Sequence, residues 1–82
     1  MSSKIRTITI QSTDMPLNAN LKCTGNQTFS EIEANLYKLY PQYKETDNIF
    51  VCNGNVINRF KTIDENGIKN GDVIIFVPKS LY

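Results

Sequence analysis

The sequence predicts an α+β domain, with one helix packed across one face of a mixed sheet of four or five strands. Three observations predict it. The chain begins and ends in short runs whose apolar residues alternate, the period of a strand. One stretch of helical period lies between them, entered at Thr28 and closed before Pro41. Three Asn-Gly pairs, at 53–54, 66–67 and 70–71, punctuate the second half, and Asn and Gly are the residues that best tolerate positive φ.

The elements follow in order. Residues 5–11 alternate, with Ile8 and Ile10 on one face and Thr7, Thr9 and Gln11 on the other, as in a half-buried strand. A turn at 13–16 leads to a second alternating run, 17–23, with Leu17, Ala19, Leu21 and Cys23 on one face. The two make an antiparallel hairpin. Thr28-x-x-Glu31 then reads as a capping box. Phe29, Ile32, Leu36 and Leu39 follow at helical spacing, with Glu33, Asn35 and Lys38 on the opposite side. Tyr40-Pro41 ends the helix, because a residue before proline is driven out of the α region. After a polar connection comes the strand 49–52, an Asn-Gly turn, and a short return strand beginning at Val56 and Ile57. Thr62-x-x-Glu65 is a second capping box, opening a single helical turn that Asn66-Gly67 closes. The last strand is 73–77, and Pro78, lacking an N–H, stops its ladder. The order is ββαββ, a short helical turn, then β.

Bulk properties narrow the function. An 82-residue chain holds one domain, with an ordered core expected over about 4–78 and a tail at 79–82. A net charge of +1 and a pI near 7.7 give no electrostatic case for nucleic acid. Lys4, Arg6 and Lys22 could lie near one another, with solvated charges as the simple reading. No signal-peptide core or spanning segment is present, so neither a membrane nor export is expected, and a cytoplasmic or nuclear setting is. Cys23 and Cys52 are expected to be buried free thiols. With no histidine, no CxxC and no glycine-rich phosphate loop, neither an enzyme, a metal nor a cofactor is expected.

The runs 49–52 and 73–77 are apolar on both alternating faces. A sheet covered on one side needs only one apolar face. The second calls for a reason.

The order and spacing of these elements resemble ubiquitin and the ubiquitin-like β-grasp domains over the chain up to Val77. The threonine-capped helix at 28–36 carries the resemblance, with Phe50–Ile57 on a strand–turn–strand, 61–68 on the following loop and 71–77 on the final strand. It implies that Phe50, Ile57, Ile63, Ile68, Ile74 and Phe76 face the helix, and that Cys23 and Cys52 lie on strands that do not pair. It also places Val51, Ile75 and Val77 where ubiquitin carries its exposed binding patch, with Ile49 and Val73 beside them. The implied role is a non-conjugated interaction domain that takes helices or small helical domains of partner proteins, and is a monomer in isolation.

Departures qualify the role. No Gly-Gly pair stands in the tail 79–82, and Asn55 and Asn70 stand where ubiquitin's main chain-building lysines fall. The tyrosine that pins the corresponding loop in ubiquitin is replaced by Asn66. Two alternatives stay open: a modifier truncated before its Gly-Gly, and a structural or self-assembling domain of a larger protein. In the second, Lys4, Arg6 and Lys22 could serve as a basic cluster, although no acidic counterpart motif is present.

Overall fold

A computed structural model describes residues 4–12, 16–44 and 48–78. Five strands, β1 (Ile5–Ser12), β2 (Asn18–Thr24), β3 (Asn48–Cys52), β4 (Asn55–Val56) and β5 (Val73–Pro78), form one sheet in the order β2-β1-β5-β3-β4. The first and last strands run parallel at its centre, with Ile10 opposite Ile74. The other pairings are antiparallel. The expected turn at 13–15, the middle of the second connection (45–47) and the tail 79–82 lie outside the described residues.

The single helix, α1 (Phe29–Leu39), lies across one face. Its apolar stripe of Phe29, Ile32 and Leu36 is fully buried against Ile8, Ile10, Ile74 and Phe76. Three rings interlock here: Phe29 meets Phe50 edge-on at 4.9 Å, and Phe50 lies 5.3 Å from Phe76. Ala19 and Cys52 join the core, whereas Ile57 sits at its rim, half-buried. Leu39, the last residue of the helical period, is exposed. A 3-10 turn at Pro41–Tyr43 follows and sets Tyr43 against Phe76.

The two Thr-x-x-Glu motifs behave differently. At 62–65 the box forms as expected. The Glu65 amide donates to Thr62 Oγ1 (3.0 Å) and the Thr62 amide to Glu65 Oε1 (2.9 Å). These bonds, led by the Thr62 amide, hold the Glu65 carboxyl below its ordinary range. The segment closes as a turn rather than a regular helix, and Gly67 ends it at φ +71°. At 28–31 no box forms. Thr28 Oγ1 pairs with the Ser30 hydroxyl instead. The reason is tertiary: the loop after β4 crosses the start of α1. The carbonyls of Lys61 and Arg59 accept from the Phe29 and Ser30 amides at 3.0 and 2.9 Å. With those orphan donors satisfied by backbone, a side-chain cap has less to do.

Glu33, expected on the solvent side, is buried at 6% exposure. Tyr37, one turn on, donates its hydroxyl to Glu33 Oε2, and Arg59 brings its Nε to 3.4 Å from Oε1. Asn48 joins them, donating to Tyr37 Oη (2.6 Å) and to the Tyr43 carbonyl (2.9 Å), while Arg59 donates to the Asn48 carbonyl (2.9 Å). The charge is buried because it is paired and hydrogen-bonded.

Burial, and then the bond to Glu33, push the Tyr37 hydroxyl well above its ordinary range. A raised folded-state value means this contribution to stability is complete below the unfolded value, near ~10, and is lost as pH rises past it. An absorbance titration should therefore leave a component un-ionised above that range, absent from Tyr37→Phe. Ionisation of every tyrosine in the ordinary range would contradict the placement.

Asn66 takes over the pinning task left by the missing tyrosine. Its Oδ1 accepts from the Asn58 amide (2.9 Å), and its Nδ2 donates to the Asn58 carbonyl (2.9 Å) and the Thr62 carbonyl (3.0 Å). Asn66→Ala removes all three bonds and should lower stability by about 1–3 kcal/mol, measured by chemical denaturation. A change under about 0.5 kcal/mol would show that the loop holds without it.

Candidate functional site

The candidate site is the sheet face turned away from α1. Strand period decides who occupies it. Phe50 and Cys52 point into the core, so Ile49 and Val51 point out, and Ile74 and Phe76 fix Val73, Ile75 and Val77 outward in the same way. The register then assembles them. Ile49 lies opposite Val77, and Val51 lies opposite Ile75. All five residues are therefore neighbours on two adjacent strands. Val73 is 45% exposed and the other four are half-buried, each shielding the next.

Sequence reasoning missed one member. Val56 pairs with Val51 across the β3–β4 hairpin and is 69% exposed on the same face. The signal was present: a two-residue Asn-Gly loop sets the register, placing 52 opposite 55 and 51 opposite 56. Asn53 and Gly54 both have positive φ, +52° and +83°, as such a tight turn requires.

On β1 and β2 the face changes character. Thr7, Thr9 and Gln11 lie beside Asn20 and Asn18, and Thr9 Oγ1 donates to Asn20 Oδ1 at 2.7 Å. Gln11 stands opposite Ile75. Arg6 and Lys22 do not make the basic cluster that the sequence allowed, because they sit on opposite faces. Lys22 lies opposite Thr7 and points outward, whereas Arg6 shares the side of Ile8. There it pairs with Asp64 at 2.6 Å and donates to the Ile68 carbonyl at 2.9 Å. Asp72, next to Val73, is also turned from the face. Its Oδ2 accepts from the Lys69 amide (2.8 Å) and lies 3.7 Å from Cys52 Sγ.

Both cysteines are buried free thiols, Cys23 on β2 and Cys52 on β3. Burial raises both above the usual thiol range, and Asp72 adds to the effect at Cys52. Raised thiols are poor nucleophiles at neutral pH. No group of three or more potential metal ligands occurs among the described residues. Nor is any helix among them long and apolar enough to cross a membrane.

No protein-family model matches the chain, and no curated protein matches it in sequence. Solved structures do match. A protein designed on the basis of ubiquitin superposes with a TM-score of 0.78 at 17% identity, covering 93% of this chain and 90% of its own. The fold is a ubiquitin-like β-grasp. A ubiquitin-like domain of an Arabidopsis thaliana protein, solved by NMR in solution, agrees, with a TM-score of 0.75 at 12% identity over 95% of this chain and 81% of its own. At such identities the likeness is one of architecture, and the side chains on the outer face belong to this ubiquitin-like domain alone.

Proposed function

We propose that this ubiquitin-like domain is a protein-interaction module that binds helices or small helical domains of partner proteins through Ile49, Val51, Val73, Ile75 and Val77. The observation that carries the reading is the continuity of the outer apolar patch across β3 and β5, with Val56 extending it. The core explains the inward residues of these strands and leaves the outward ones unexplained. β-Branched residues suit strands on either face, but six outward apolar residues side by side form the kind of patch that marks contact surfaces. Binding of this sort draws on apolar burial and few hydrogen bonds, as when an amphipathic helix lies in a hydrophobic groove.

Val51→Asp tests the reading. It should abolish binding of an amphipathic helical peptide while leaving the domain folded. An unfolded variant would mean that Val51 belongs to the core, and unchanged binding would remove the face from consideration.

A further inference from the structure

The outer face is notable for what its strands leave out. The chain carries nine basic and eight acidic residues. Among the described residues, the outward strand positions hold one of them, Lys22. That lysine lies on the edge strand β2, with β1 between it and β5. The positions bordering the apolar patch on its β1 side are neutral: Thr9 opposite Val73 and Gln11 opposite Ile75. The two nearby charges that could have reached the face are held elsewhere. Asp72 is tied to the Lys69 amide, and Arg6 to Asp64 on the helix side.

We infer that this face selects partner helices whose contact surface is uncharged, so that it discriminates by the absence of charge rather than by a charge pair. The inference rests on the proposed docking role of the same face and names the chemistry of its partner. The physical basis is asymmetric. A charged flank laid over a neutral sheet loses hydration and finds no counter-ion, so both acidic and basic flanks are penalised. A neutral flank meets Thr9, Gln11 and Asn20, which can donate or accept. With no charge pair across the contact, salt has little to screen.

The experiment uses the full 82-residue chain and three synthetic 20-residue amphipathic peptides. They share one leucine and alanine stripe and differ only in their flanks, which are glutamine and serine, glutamate, or lysine. Kd is measured by calorimetry at 50 and 500 mM NaCl. The neutral peptide should bind on the order of tenfold tighter than either charged one, and its Kd should change less than about twofold with salt. Gln11→Lys should then improve the glutamate peptide severalfold at low salt only. Equal or tighter binding of a charged peptide to the wild type overturns the inference but leaves the docking role standing, as does a neutral-peptide Kd that changes tenfold with salt. Failure of Gln11→Lys to alter the ranking also overturns it. If none of the three peptides binds, the docking role fails and the inference with it.

Discussion

Phe76→Ala is expected to cost about 3–5 kcal/mol, the range for removing a buried aromatic ring. Phe76 is fully buried at the centre of β5, packed against Phe50 and Tyr43 on the two strands and turns that the helix covers. A domain of this size has about 4–12 kcal/mol in total, so the substitution takes a third or more of it. At about 4–8 °C per kcal/mol the thermal midpoint should fall by some tens of degrees. Denaturation followed by circular dichroism measures it. A loss under about 1 kcal/mol would mean that β5 presents its faces the other way round.

Val51→Asp is the opposite case, one strand away. Val51 is half-buried on the outer face between Ile75 and Val56. Replacing it loses strand preference and some cross-strand contact, together about 1 kcal/mol or less, or a midpoint shift of roughly 4–8 °C. The expected effect on binding is far larger. A carboxylate at the centre of an apolar contact must be desolvated without a partner, which costs several kcal/mol and should weaken a helical ligand at least a hundredfold. The pair of substitutions separates the faces, since one should destroy the fold and the other only the binding. If Val51→Asp destabilises as much as Phe76→Ala, the outer patch is structural.

The legibility of this chain varied with the range of the interactions involved. Strand period, helical period and Asn-Gly turns act within a few residues, and they yielded the element order and the inward residues directly. Register was partly legible, since the two-residue turn alone sets Val56 opposite Val51. Contacts brought about by the crossing of distant segments were not. The motif Thr-x-x-Glu occurs twice and forms its cap once, because at 28–31 the carbonyls of Arg59 and Lys61 reach the helix start first. Glu33 looked solvent-facing for the same reason. Its partner Arg59 lies 26 residues on, on a loop whose path no local pattern dictates. Arg6 and Lys22 appeared as potential neighbours until the pairing of Arg6 with Cys23 and of Thr7 with Lys22 put them on opposite faces.

Asn66 makes a related point. Against a resemblance that expects tyrosine, asparagine reads as a lost anchor. In the fold its amide reaches the Asn58 backbone with both a donor and an acceptor, so a short side chain close to the strand end does what a long one does from further away.

The central claim is that the face away from the helix is the one that meets partners. Its most direct test is an amide-shift titration of the labelled domain with the neutral amphipathic peptide. The shifts should gather on the amides of Ile49, Val51, Val56, Val73, Ile75 and Val77, and the amides of α1 should stay in place. A response confined to α1 and the loops beside it would contradict the claim.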